Sequence, residues 1–416
     1  MDNQSFDRVS LSKHIKKTDF YKFKDLKEDS KLEEIINESY KLAHEITVPN
    51  FIKINTKGKS AYFTDNLPTK LFFRKLHENI KSKIELVRNH RNDIIREIAV
   101  YLQEGVKCNV FCIDIESFYE SIDKDIILRL IKNKTDISYH SQILIEELIN
   151  NHHRNGGLGL PRGIELSSLL AEIYLEEFDA ELKNNSRVFL YKRFVDDIII
   201  ITDGDFDELK FLNKLKKTMP TGLKINKLKS KCHSIARITH SPSKPDGTEV
   251  ASIEYLGYKL TVIDKCVKSS GVASGIYRKI KIGVSDKKIT RLKNKISQSF
   301  YSFSCNNDFQ LLIDRITFLS SNRQLVNKNK KNKIPTGIFY NYPLLNDDNE
   351  SMKLVDEHVK YLILNSKGRL PILLKNKLSN TQKRRLLKIS FVRGYNMKIH
   401  KKYSPNKLKE IARIWK

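Results

Sequence analysis

Four consecutive isoleucines, Ile198–Ile201, follow directly on two adjacent carboxylates, Asp196 and Asp197, in the stretch YKRFVDDIIII. An apolar run of this kind reads as a buried strand. Ionised carboxylates at its head are expensive there unless they are paired or bound to a metal ion. By itself the string reads as a strand, a turn carrying the two aspartates, and a second strand, because Asp favours turns. Asp114 sits in similar surroundings, among Phe111, Ile113 and Ile115 in NVFCIDIESF. The two sites are 82 residues apart (114 to 196), and they meet if their strands are neighbours in one sheet.

The rest of the chain supplies a mixed scaffold. KLEEIINESYKLAHEI places apolar residues at helical spacing before Pro49, and FIKINTKGKSAYFTD alternates around Lys-Gly-Lys as a hairpin over 51–65. A long amphipathic stretch, Leu67 to Leu102, reads as helix and carries Arg74, Lys75, Lys81, Arg88, Arg91 and Arg96. DKDIILRLIKN, SQILIEELINN and LSSLLAEIYLEEFDAEL are helical, GGLGLPRG is a loop, and strand signals return at 187–202 and in IEYLGYKLTVI. After about 275 the pattern turns to Lys-rich helices, with Ser285 as an N-cap. His152 and His153 in NNHHRNGG read as a surface loop rather than a metal site.

Charge narrows the partner class. The chain has 416 residues, with 76 Lys+Arg against 49 Asp+Glu for a formal +27. Residues 321–416 alone hold 23 basic and 6 acidic residues. That is the balance of a polyanion-binding protein, so nucleic acid is the leading partner. No apolar run approaches 18 residues and no signal or lipidation pattern is present, which gives the expectation of a cytosolic protein with no membrane partner. The five cysteines are scattered without zinc-ligand spacing.

The order of segments gives these residues a common meaning. FCIDIESFYESI, GLPRGIELSSLLAEIYL, FVDD, GLKINKLKSK and YLGY follow one another as the palm motifs of reverse transcriptases do, and over about residues 51–300 the chain resembles that family. AEIYLEEFD and NHRNDIIREI are most similar to the bacterial defence-associated (abortive-infection or unknown-group) members. The resemblance implies an α+β right-hand polymerase. It would have a helical lead (1–50), fingers and palm (51–270) and a basic helical thumb with a C-terminal extension (271–416).

It also implies roles. Asp114 and Asp196 would bridge two Mg²⁺ ions, the Ile115 carbonyl would ligate one, and Asp197 would support the site; hard cations require such oxygen ligands. Tyr119 would exclude a ribose 2′-hydroxyl, favouring DNA synthesis, or else is an ordinary core aromatic. Gly163 would let backbone approach the nascent base pair. Arg162 stands where the family commonly has Gln, and would meet either the triphosphate or a template phosphate. Arg91, and more loosely Arg74 and Lys75, would grip the incoming triphosphate or lie on a solvated helix face. Lys229 would protonate pyrophosphate or is a surface lysine, and Leu256 and Gly257 would form the primer grip.

The expected activity is RNA-templated synthesis from dNTPs in the bacterial cytoplasm. The template would be a noncoding RNA, the role antiphage defence, and a companion defence protein or a second copy the partner. Two rivals remain open at this stage. One is template-independent or protein-primed DNA synthesis, with Tyr395 and Tyr403 as possible priming hydroxyls. The other is an RNA-binding scaffold with a vestigial site.

Overall fold

The protein is described here from a computed structural model covering residues 3–49, 51–56, 58–84, 90–205, 207–239, 247–269, 272–326 and 333–415. It divides into two compact units, residues 1–89 with 107–234, and residues 90–106 with 235–416.

The first unit is built on a four-stranded sheet. Strands β1 (Ile52–Thr56) and β2 (Lys59–Phe63) form a separate antiparallel hairpin; β3 (Cys108–Asp114), β4 (Val188–Phe194), β5 (Asp197–Asp203) and β6 (Lys231–Ile235) lie in the order β4-β5-β3-β6. Strand period 2 puts Phe111, Ile113 and Ile115 on one face of β3, with Ile198 and Ile200 of β5 and Tyr191 of β4. All are buried in one core with the helices Leu67–Lys81, Lys124–Lys132, Tyr139–Arg154 and Glu165–Lys183. The alternate positions, Cys112 and Asp114, therefore point to the other face. Phe6, Leu11 and Ala43 from the N-terminal helices join the same core.

In the second unit β7 (Thr248–Tyr255), β8 (Tyr258–Ser269) and β9 (Val272–Val284) form an antiparallel meander. Helices Asp286–Asn306, Phe309–Ser320 and Glu350–Leu364 bury Ile296, Phe300, Leu312, Ile316, Val355 and Val359 together.

Three expectations change. The stretch Leu67–Leu102 is two helices, Leu67–Lys81 and Arg91–Gln103, which belong to different units; Arg88 lies outside the described residues. NNHHR closes the helix Tyr139–Arg154 instead of looping out. Asn151 and His152 are buried there, Asn151 donating to the Val48 carbonyl at 2.7 Å. The tail after 275 is not wholly helical. Ile280, Ile282 and Val284 are buried at period 2 and keep β9 extended, and β10 (Asn322–Val326) pairs with β11 (Lys333–Gly337). Ser285 takes the N-cap position of Asp286–Asn306 but its side chain makes no capping bond. Among the described residues no helix is long and apolar enough to cross a membrane.

Candidate active site

Register places the carboxylates. In the β3–β5 ladder Asp114 stands directly opposite Asp197, and in the β4–β5 ladder Phe194 pairs with Asp197, leaving Val195 and Asp196 as a two-residue turn. The Ile115 N–H donates to the Asp196 carbonyl at 3.3 Å, which ties the turn to the end of β3. Val195 has φ +61. That is the sign pattern of a type II′ turn, whose first central position favours glycine, so a β-branched residue there is strained.

A second segment closes around Asp114. The Asn226 N–H donates to the Asp114 carbonyl at 2.8 Å, the Asp114 N–H to Ser230 Oγ at 3.1 Å, and the Glu116 N–H to the Lys224 carbonyl at 2.9 Å. Lys229 Nζ lies 3.1 Å from both carboxylate oxygens of Asp114. Lys229 is more than half exposed whereas Asp114 is largely covered.

Tyr119, Arg162 and Gly163 are brought together beside this centre. Tyr119 lies on a short 3₁₀ turn, Phe118–Ser121, and its carbonyl accepts from the Leu160 N–H at 2.8 Å. Burial first, and then the nearby Asp196 charge, raise the Tyr119 phenol above its ordinary range. The Arg162 guanidinium makes a fork to Glu120 at 3.0 and 2.9 Å and lies 5.5 Å from the Tyr119 ring. Its carbonyl accepts from the Tyr62 N–H of β2 at 2.7 Å. Gly163 has φ +100, and a Cβ there would sit 2.7 Å from the Tyr62 carbonyl, so the hairpin approach requires glycine. Gly163 and Arg74 line one cavity of about 280 Å³ with Lys16, Lys70 and Glu165.

The other basic candidates are held by the protein itself. Arg74 forks onto Asp19 at 2.7 and 3.0 Å and donates to the His14 carbonyl. Lys75 is buried and donates to the Asn3 carbonyl at 2.5 Å, so it is a packing residue of the N-terminal lead. In the second unit Leu256 (φ +47) and Gly257 (φ +80) form a type I′-like turn between β7 and β8, with Tyr255 paired to Tyr258. Arg91 donates to the Leu256 and Asn341 carbonyls, both at 2.8 Å, with its guanidinium 4.5 Å from the Tyr258 ring centroid.

Sequence reasoning missed Arg193. It is buried on β4 and forks onto two carboxylates of the helix Glu165–Lys183: Asp179 at 3.0 and 2.6 Å, and Glu172 at 3.0 and 2.6 Å. It also donates to the Val195 carbonyl at 3.3 Å, gripping the strained turn from below. Despite burial, the two carboxylates raise its pKa. A cation flanked by Tyr191 and Phe194 in a strand was the available signal.

Among the described residues no three Asp, Glu, His or Cys side chains converge as a metal site as they stand. The donor set nonetheless suits a hard cation. Asp114 and Asp197 directly opposite one another are unfavourable as bare anions and favourable beside a dication, and all the candidate ligands are oxygens.

A family profile described as "Reverse transcriptase (RNA-dependent DNA polymerase)" matches residues 15–260, more than half of the chain. The chain belongs to the reverse transcriptase family. Its α+β fold is the polymerase fold of that family. Among solved structures it is similar to apo telomerase from Candida tropicalis truncated from its C-terminal domain, at 14% identity and TM-score 0.34, over 52% of this chain and 54% of that one. It is also similar to telomerase from Candida albicans in complex with a TWJ fragment of telomeric RNA, at 13% identity and TM-score 0.35, over 89% of this chain and 62% of that one. This reverse transcriptase thus spans less than two thirds of either telomerase chain. No curated protein matches it in sequence.

Proposed function

We propose that this reverse transcriptase makes DNA from dNTPs on an RNA template. The observation that carries the reading is the register of the sheet: Asp114 opposite Asp197, with Asp196 held in the strained turn joining β4 and β5. Asp114, Asp196 and the Ile115 carbonyl would hold two Mg²⁺ ions, with Asp197 in support. When bound, the ions stabilise charge on the attacking and leaving oxygens.

The chain's own residues do the rest. Tyr119, anchored through its carbonyl and flanked by Arg162, would block a ribose 2′-hydroxyl and so select dNTPs. Gly163 admits the template-facing backbone without a side chain. Lys229 Nζ, 3.1 Å from the Asp114 carboxylate, would donate to departing pyrophosphate. Leu256 and Gly257 would hold the primer end. Arg162 and Arg91, already bonded to Glu120 and to the Leu256 carbonyl, are assigned to fixing the Tyr119 turn and the Leu256–Gly257 turn.

We also read the template as a dedicated noncoding RNA and the role as antiphage defence in a bacterial cytoplasm, with a companion protein or second copy. AEIYLEEFD and NHRNDIIREI support this finer placement. Protein priming loses its two tail candidates: Tyr395 is buried and donates to the Tyr342 carbonyl at 2.9 Å, and the Tyr403 hydroxyl is buried.

Nucleic acids copurifying with the wild type and with Asp196→Asn would be sequenced, and both proteins assayed for primer extension on RNA. DNA product is expected from the wild type alone, with thermal stability of the variant unchanged. Identical RNA-only content and no extension by either protein would refute the activity and favour an RNA scaffold.

A further inference from the structure

The second unit contains a cavity that the polymerase reading does not use. It has a volume of about 370 Å³, and its wall carries Lys288, Arg291, Lys295 and Arg323 with no Asp or Glu. Three of these cations come from one face of the helix Asp286–Asn306, at positions 288, 291 and 295, so they repel one another at three- and four-residue spacing. Arg323 enters from β10 with its guanidinium 4.1 Å from the Phe318 ring, and Lys295 Nζ lies 5.2 Å from the Trp415 ring. Among the described residues no ion pair joins Arg291, Lys295 or Arg323 to a carboxylate. Burial lowers the pKa of Lys295 and Arg323, and for Lys295 the Arg291 and Arg323 charges lower it further.

Folding alone gives no reason for this arrangement, since three like charges around a concave space lower stability. A bound anion reverses the sign of the effect. The floor is apolar, formed by Leu292, Ile338 and Met352, with Tyr342 at the side. An inorganic phosphate would leave that floor and most of the volume unfilled. A cavity of this size lies in the range of small-molecule sites. Cations beside an aromatic and apolar wall match a nucleotide, its phosphate on guanidinium and ammonium groups and its base on the apolar side.

We propose that this cavity binds one nucleotide, with Arg291, Lys295 and Arg323 on its phosphate. The same chemistry is offered by a nucleotide within a single strand and by a free mononucleotide. The site is independent of the catalytic aspartates, so its failure would leave the polymerase reading intact.

The test uses the full chain in EDTA, which prevents synthesis. AMP binding is followed by titration calorimetry, and binding of a labelled, unstructured RNA hexanucleotide by fluorescence anisotropy. The variant is Arg291→Gln/Lys295→Gln. Gln keeps helix propensity and removes repulsion, so its melting temperature should hold or rise. Lys353→Gln/Lys360→Gln removes the same charge from exposed positions of Glu350–Leu364. Each lost charged hydrogen bond is expected to cost about tenfold in affinity. AMP binding lost in the cavity variant and kept in the control supports the site with a free nucleotide as ligand. No AMP binding by any protein, with hexanucleotide affinity at least about tenfold weaker in the cavity variant than in the control, supports a nucleotide within a strand. Equal losses in variant and control, or no loss in either, overturn the proposal, as does inorganic phosphate or poly(glutamate) displacing the ligand as well as AMP or RNA does.

Discussion

Arg193 offers the sharpest separation of chemistry from folding. Its side chain is 5% exposed, with Asp179 at 16% and Glu172 at 36%. Arg193→Met would strand both carboxylates. Breaking a buried pair in this way costs about 3–5 kcal/mol, and the partial exposure of Glu172 places the loss toward the lower end. Against a typical stability of about 5–15 kcal/mol the variant is destabilised but folded.

Arg193→Lys is the more informative change. It keeps the charge near Asp179 and Glu172 but cannot make both forks and the bond to the Val195 carbonyl at once. The turn then loses its grip from below, and a displacement of about 1 Å at a reacting group costs on the order of 10²-fold in rate. Single-nucleotide primer extension should show kcat reduced by that order, with KM for dNTP nearly unchanged, and urea unfolding should show a smaller stability loss than for Met. If Arg193→Lys retains wild-type kcat, or loses activity only in proportion to its unfolded fraction, Arg193 does not position Asp196.

Tyr119→Ala should raise ribonucleotide incorporation relative to dNTP by at least about tenfold, since it removes a steric block rather than a bond; unchanged discrimination in competition assays would leave Tyr119 as a core aromatic. Lys229→Met should cost under about 1 kcal/mol in stability, because the pair with Asp114 is half solvated. It should lower kcat by about 10²–10⁴-fold in single-nucleotide primer extension. An unchanged kcat would assign Lys229 to charge balance beside Asp114 alone. Burial depresses the pKa of His14, His152, His233 and His358 below 6.5, so the unfolded chain takes up their protons first and stability must fall as pH drops below that value. Urea midpoints measured at pH 7.5 and 5.5 should decrease; a flat response would show that these rings are solvated.

What the sequence made legible was what depends on near neighbours. Alternation around Asp114 puts it on a strand, the run Ile198–Ile201 puts Asp196 and Asp197 at the turn that opens the next one, and the Leu256–Gly257 turn is written in two residues. The hairpin at 51–65 follows from Lys-Gly-Lys with Gly58 at φ +76. Roles fixed by distant partners were not legible. Lys75 is a charged side chain on an amphipathic stretch, yet it is buried and donates to the carbonyl of Asn3, 72 residues earlier. Arg162 looks like a free guanidinium until Glu120 is placed beside it. Glu172 and Asp179, seven apart on a helix, share a face by periodicity, but nothing local says that a strand arginine will enter between them.

Backbone preference fails at Val195 in a way that constrains Asp196. The Leu256–Gly257 turn places glycine where φ is most positive, although Leu256 too has φ +47. The turn at Val195 does not, although glycine would remove about 1–3 kcal/mol of strain. Val195 packs, half-buried, against the core, so its side chain returns only part of the about 1.5–3 kcal/mol of a fully buried valine and offsets some of that strain. A glycine there would be far looser. The Arg193 bond to the Val195 carbonyl and the Ile115 bond to the Asp196 carbonyl restrain the backbone on both sides of the Asp196 side chain. A turn selected only to join two strands has no use for that rigidity; one that must present a carboxylate beside the Asp114–Asp197 pair does.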